Sequence, residues 1–259
     1  MNLLALPALT DNYIWMMHDG EHAIVVDPGE AAPVLGALQH HRLQLSAILV
    51  THRHGDHTAA IASLTQTHPV AVYGPASLAS AGVTHAVSDG DRFTLGLVNV
   101  AVWATPGHTN EHVSFVCDSP AFEGGLTPIL FCGDTLFSAG CGRIFDHDPP
   151  RYVSSLNRLA SLPDQTKICC AHEYTLSNIA FAMAVEPGNS ALTAYRQHCQ
   201  NLRDRLLPTL PSTLKVERQV NPYLRLTEPE VIASARVHGA ADDHPVSVFT
   251  ALREWKNSF

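Results

Sequence analysis

The sequence predicts a mixed α/β fold followed by a small helical domain. Short Val- and Ile-rich runs, each closed by Gly, Pro, Asp or Asn, fill the first two-thirds of the chain. After about Thr175 the apolar residues recur at helical spacing, with Pro or Gly between the runs. The change of period places a boundary near residue 172, with one domain over 1–172 and a helical domain over 173–259.

The expected strands are 13–17, 23–26, 47–50, 98–103, 113–116 and 129–132, all of strand length and apolar enough to be buried. Helices are expected between them at 31–41 and 58–67. The second part predicts helices over 176–185, 191–207, 228–237 and 246–256. Pro245 suits the first position of the last one, and Asp242 and Asp243 just upstream complement its dipole.

The 259 residues are 46% hydrophobic and 15% charged, the balance of an ordinary globular protein with ample core. No apolar run approaches the length of a membrane span, and the N-terminus lacks the basic start of a signal peptide, so a cytoplasmic protein is expected. A net charge of −8 argues against a nucleic-acid partner, which needs a basic face. The six cysteines show no CxxC spacing, so reduced, buried thiols are expected rather than a disulfide framework.

Thr51-His52-Arg53-His54-Gly55-Asp56-His57 is the richest stretch. In an extended segment His52 and His54 fall on one side, because side chains alternate. Asp56 and His57 are adjacent and must point apart, so one metal cannot easily take all four. The stretch reads as half of a two-metal site. Three other segments end strands with a ligand-type residue: Thr105-Pro106-Gly107-His108-Thr109, Phe131-Cys132-Gly133-Asp134-Thr135 and Cys170-Ala171-His172-Glu173-Tyr174. With the opening stretch they provide five His and two Asp, enough for two four- or five-coordinate metals. Asp27 and His112 are candidates for orienting those ligands.

HxHxDH, a later His in a GHT turn, a GD and a final His resemble the metallo-β-lactamase superfamily. TPGHTxxHVSF, FCGDTLFSAGCGR, HEYTLSN, NPYLR and the C-terminal LREWK narrow the resemblance to glyoxalase II, the hydroxyacylglutathione hydrolase family, from the first strand to the last helix. The resemblance implies an αββα sandwich with a helical, glutathione-binding C-terminal domain. It implies one metal on His52, His54 and His108, a second on Asp56, His57 and His172, and Asp134 bridging both. Zinc is the first expectation for two divalent ions per chain; iron and manganese accept the same donors.

Paired metals lower the pKa of a shared water to about 7, giving a bridging hydroxide held between Asp56 and Asp134 that can attack a thioester carbonyl. The thiolate leaving group, with a conjugate-acid pKa near ~8.5, departs without a strong general acid. There is no GxSxG elbow to suggest a serine nucleophile. The implied reaction is hydrolysis of S-D-lactoylglutathione to glutathione and D-lactate, the second step of methylglyoxal detoxification, by a monomer. The resemblance assigns the glutathione moiety to Arg143, Phe145, Tyr174, Arg253 and Lys256. Arg253 and Lys256 stand three apart on the expected last helix, on one face. In three places the chain departs from the family pattern: Arg53 where His is frequent, Ala171 where Gly is usual, and Phe145 where some members carry Tyr.

Two other readings compete. A glutathione persulfide dioxygenase of the same superfamily shares much of the ligand pattern, but is not expected to carry NPYLR and LREWK. A non-enzymatic metal-binding module is opposed by the intact ligand set.

Overall fold

A computed structural model describes residues 1–118 and 127–259. These group into two units that interleave along the chain: Met1–Thr105, Glu111–Gly133 and Lys167–His172 in the first, Pro106–Asn110, Asp134–Thr166 and Glu173–Phe259 in the second.

In the first unit, β1 (Asn2–Ala8), β2 (Asn12–His18), β3 (His22–Val26), β4 (Gln44–Leu49), β5 (Ala71–Pro75) and β6 (His85–Val87) form a sheet in chain order. Its first three strands run antiparallel; from β3 onward neighbours are parallel. The parallel connections need crossovers. Two of them carry helices: α1 (Ala31–His41), then the pair α2 (Gly55–Thr58) and α3 (Ile61–Thr67). A second sheet uses β7 (Arg92–Leu95), β8 (Val98–Ala104), β9 (Val113–Asp118) and β10 (Ile129–Gly133), joined antiparallel. A hairpin of two short strands, β11 (Leu136–Phe137) and β12 (Gly140–Cys141), belongs to the second unit; β13 (Lys167–Cys170) then pairs parallel with β10.

Strand β2 shows how the layers stack. Ile14 and Met16 pack with Val34 and Leu38 of α1 and Ile61 and Leu64 of α3. Trp15 points the other way, its ring 6.5 Å from Phe131 on β10 and its Nε1 donating to the Cys170 carbonyl at 2.9 Å. A strand buried on both faces reads as a continuous apolar run, which is why 13–17 lacks alternation. Helices on one side of the first sheet and the second sheet on the other match the expected α/β sandwich.

The second unit holds α4 (Pro149–Leu159), α5 (Thr175–Val185), α6 (Ser190–Asp204), the short β14 (Ser212–Thr213), α7 (Leu214–Val220), α8 (Pro229–Val237) and α9 (Pro245–Ser258). Asp148, Asn189 and Thr213 cap α4, α6 and α7 by accepting from backbone N–H groups, and Pro opens α4, α8 and α9. Ile179, Ala182, Leu192, Cys199 and Val220 form one core; Tyr152, Phe181, Tyr223, Phe249 and Trp255 form an aromatic one.

Three expectations need correction. The single helix over 58–67 is two helices, and α2 begins at Gly55, so Asp56 and His57 lie in a helical first turn. The helix expected to reach residue 207 stops at Asp204, and Leu206 has φ of +58°. Strands β1, β5, β6, β7, β11, β12 and β14 and helices α4 and α7 were not anticipated; β1 carries Pro7 and no β-branched residue, and α4 is largely polar. All six cysteines are buried and unbridged, as expected. Among the described residues no helix is long and apolar enough to cross a membrane.

Candidate metal centre

In the first unit, the loop after β4 is fastened to the one after β3. Thr51 donates its backbone N–H to Asp27 Oδ1 at 2.8 Å and its hydroxyl to Asp27 Oδ2 at 2.7 Å. With its proton spent on Asp27, the Thr51 Oγ1 accepts from His52 Nδ1 at 3.0 Å, which turns His52 Nε2 toward His54 Nδ1, also at 3.0 Å. His57 Nδ1 donates to the same Asp27 Oδ2 at 3.0 Å and leaves Nε2 facing Asp56 Oδ2 at 3.4 Å. His172, just past β13, donates Nδ1 to Asp11 at 2.7 Å and presents Nε2 to Asp56 Oδ2 at 3.3 Å. Ligand atoms of Asp56, His57 and His172 all lie within 4.8 Å of one another.

Burial opposes ionisation of Asp56, yet the facing His172 and His57 rings and the hydrogen bond from Asn12 Nδ2 outweigh it and hold the carboxyl well below the usual carboxylate range. The group is therefore anionic, the form a metal ligand must take. The buried His112 ring stacks on His52, centroids 4.9 Å apart, and its Nδ1 lies 3.0 Å from Thr105 Oγ1. Gly133 closes the same corner: with φ of +45°, a Cβ there would stand 2.5 Å from Thr51 Oγ1 and 2.7 Å from His112 Nε2.

The second unit holds His108 and Asp134. His108 Nδ1 donates to the Arg143 carbonyl at 2.9 Å, and its Nε2 lies 3.4 Å from Asp134 Oδ2. The Asp134 and Thr135 carbonyls accept from the buried Tyr152 hydroxyl at 3.2 and 2.9 Å. In His57, His108 and His172 alike, an oxygen acceptor takes Nδ1–H and leaves the Nε2 lone pair beside a carboxylate. That is the tautomer control of metal-binding histidines, and the donor set fits divalent metal ions.

Two family models cover the chain. Residues 9–172 match the metallo-beta-lactamase superfamily, and 173–259 match the hydroxyacylglutathione hydrolase C-terminus. The chain is 50% identical over 260 residues to a hydroxyacylglutathione hydrolase from Albidiferax ferrireducens, covering 100% of both. The chain belongs to the hydroxyacylglutathione hydrolase family. A second member, from Cupriavidus taiwanensis, is 49% identical over 98% of this chain and 97% of its own. Among solved structures, ETHE1 from Myxococcus xanthus shares the fold at a TM-score of 0.66 and 22% identity, covering 100% of this chain and 99% of its own. TTHA1623, solved in a di-iron-bound form, does so at 0.58 and 24%, covering 86% and 100%. This hydroxyacylglutathione hydrolase relative thus has the metallo-beta-lactamase fold and a His/Asp cluster suited to a binuclear metal site.

The residues expected to contact substrate lie in the second unit of the hydroxyacylglutathione hydrolase chain. Arg143 and Phe145 are exposed, and the Phe145 ring meets His108 edge-on at 5.1 Å. Tyr174 is exposed and packs edge-on against Phe137. Lys256 Nζ donates to the Ser177 carbonyl at 3.2 Å and sits over the Phe181 and Phe259 rings. Burial, then the neighbouring Arg253 charge, lowers its pKa. Arg253 is 6% exposed, with Nη1 donating to the Cys141 carbonyl at 2.9 Å and Nη2 to Asn257 at 3.2 Å.

Arg53 pairs with Glu111 through side chain and backbone and is no ligand. Ala171 does not have positive φ, so Ala in place of Gly creates no strain; it lies between Tyr13 and Gly133 in backbone hydrogen bonds. Asp11 and Asn12 escaped the sequence reading. Their signal was a polar pair ahead of an apolar run, which marks a turn as readily as a site.

Proposed function

We propose that this chain hydrolyses S-(2-hydroxyacyl)glutathione, S-D-lactoylglutathione in particular, to glutathione and a 2-hydroxy acid. The observation that carries the reading is the likeness to hydroxyacylglutathione hydrolases along the entire chain, including the C-terminal family model over 173–259. In this reading residues 1–172 form the metal-binding catalytic domain and 173–259 the glutathione-binding one. His52, His54 and His108 would hold one divalent ion and Asp56, His57 and His172 the other, with Asp134 shared by the two. Zinc suits these donors, as do iron and manganese.

Two such ions supply Lewis acidity that makes water nucleophilic near neutral pH and polarises the thioester carbonyl. The chain's own part is positional. Asp27 and Asp11 keep His57 and His172 in the Nε2-presenting tautomer, and Asp27 does the same for His52 through Thr51. Arg143 and Lys256 offer cations to the glutathione carboxylates, and Tyr174 offers a hydroxyl. The leaving thiolate needs no general acid. The protein acts as a cytoplasmic monomer.

The test is hydrolysis of S-D-lactoylglutathione by protein whose metal content has been measured. Turnover proportional to bound metal supports the reading. Metal-loaded protein that leaves the thioester intact, or that consumes oxygen with glutathione persulfide instead, overturns it.

A further inference from the structure

Glu217 and Asn221, on and just after α7, are completely buried and face one tight turn. Glu217 Oε1 accepts from the hydroxyls of Ser138 at 2.8 Å and Ser212 at 2.6 Å. Its Oε2 accepts from the backbone N–H of Ala139 at 2.8 Å and from Asn221 Nδ2 at 3.2 Å. Asn221 Nδ2 also donates to the carbonyls of Phe137 at 3.0 Å and Gly140 at 2.9 Å. Four consecutive residues of the β11–β12 turn are thus gripped by two side chains from about 80 positions downstream.

The turn does not hold this shape by itself. Ala139 has φ of +53°, a conformation that a residue with a Cβ disfavours and that persists only when its surroundings enforce it. Asn178 Nδ2 adds a bond to the Ser138 carbonyl at 3.1 Å. The two ends of the hairpin are what the grip serves. The incoming end starts from Asp134, whose carbonyl the Tyr152 hydroxyl holds independently. The outgoing end carries the Cys141 carbonyl bonded by Arg253, then Gly142 and Arg143. Gly142 passes so close that a Cβ there would lie 2.0 Å from the Asp134 carbonyl oxygen. Phe137, inside the hairpin, packs on Tyr174. The hairpin therefore links three of the residues proposed to meet glutathione.

We propose that Glu217 and Asn221 are positioning residues for the thioester substrate: by locking the 136–141 hairpin they set where Arg143, Tyr174 and the Arg253-bonded Cys141 carbonyl stand. The proposal rests on the glutathione-thioester reading above. Tyr152 secures Asp134 separately, so of the candidate metal ligands only His108, whose Nδ1 donates to the Arg143 carbonyl, touches the segment that the grip places; loosening the grip should disturb substrate binding first.

The test compares variants of the full-length, metal-loaded protein with S-D-lactoylglutathione. In protein loaded to the wild-type metal content, Glu217→Ala should raise KM about tenfold or more, with kcat within about threefold. Glu217→Gln should behave like wild type, because its NH2 can donate to the Ser138 and Ser212 oxygens while its carbonyl accepts from Ala139 and Asn221. Ala139→Gly combined with Glu217→Ala relieves the backbone strain; it should recover thermal stability while KM stays high. Ser138→Ala, which removes a single donor and should fold even if Glu217→Ala does not, should raise KM by about threefold. An unchanged KM in Glu217→Ala or Ser138→Ala overturns the proposal. So does a double variant whose KM recovers with its stability, since the role would then be folding alone, or a Glu217→Gln variant as impaired as Glu217→Ala. Wild-type protein with no thioesterase activity defeats the functional reading itself, whereas normal wild-type activity with insensitive variants defeats only the grip.

Discussion

Asp27 Oδ2 lies 3.0 Å from His57 Nδ1 and 2.7 Å from Thr51 Oγ1, so one buried carboxylate aims His57 directly and His52 through a hydroxyl. The arrangement makes Asp27 a determinant of metal affinity without being a ligand. Its φ of +54° is one that Asn also tolerates, so Asp27→Asn keeps the backbone. The Asn carbonyl must accept from the Thr51 N–H, which leaves its NH2 facing His57 Nδ1. His57 then carries its proton on Nε2, the nitrogen needed for metal. We expect metal affinity to fall about 10–100-fold, read by competition with a chelator, while the circular dichroism spectrum stays native.

Asp134→Ala removes the carboxylate proposed to serve both ions. Metal stoichiometry, measured by elemental analysis, and kcat/KM should fall together, the latter by at least ~10³-fold. Full metal content with lost activity would place the role of Asp134 in chemistry alone.

Lys256 and Arg253 should separate, although they stand three apart on α9. Lys256→Ala should raise KM about tenfold and leave melting temperature nearly unchanged. Arg253→Ala should raise KM and also destabilise the fold by about 1–3 kcal/mol, because the Cys141 carbonyl loses its donor in a buried setting. Thermal denaturation beside steady-state kinetics distinguishes the two.

The carboxyl of Glu217 gives a pH signature. Burial pushes its pKa up, against the pull of its donors Ser212, Ala139, Ser138 and Asn221. A folded pKa above the unfolded value means that the unfolded state binds fewer protons in the window between them, so this group's contribution is complete below the unfolded value, near ~4.3, and declines as pH rises through the folded one. Glu217→Gln cannot titrate. The melting temperature of wild type relative to Glu217→Gln should therefore fall as pH rises from about 4 upward, and a flat difference would contradict the shift.

The candidate ligands were legible because each sits in a short motif at a strand end, where neighbouring residues of sequence are also neighbours in space. His52 to His57 span six positions, and His108, Asp134 and His172 each follow a strand whose apolar run announces it. The groups that aim the ligands were less so. Asp27 stood out only as an acidic residue in a Pro-Gly turn, and Asp11 reaches His172 across 161 positions. Nothing local marks Glu217, or Asn221 at the head of NPYLR, as the partner of a turn about 80 residues upstream. The burial of Arg253 was not legible, because helical spacing shows which residues share a face and not whether that face is covered. Contacts distant in sequence are set by tertiary packing, which a linear pattern does not encode.

The buried thiols have a consequence for an enzyme that releases glutathione. Burial raises the Cys141 pKa to about 11, despite the adjoining Arg253, and that of Cys199 to about 11; Cys117 and Cys169 are pushed higher still. Thiol–disulfide exchange needs an accessible thiolate, and none of the six cysteines offers one. The six cysteines are therefore poor partners for mixed disulfides with the very compound that the catalyst sets free.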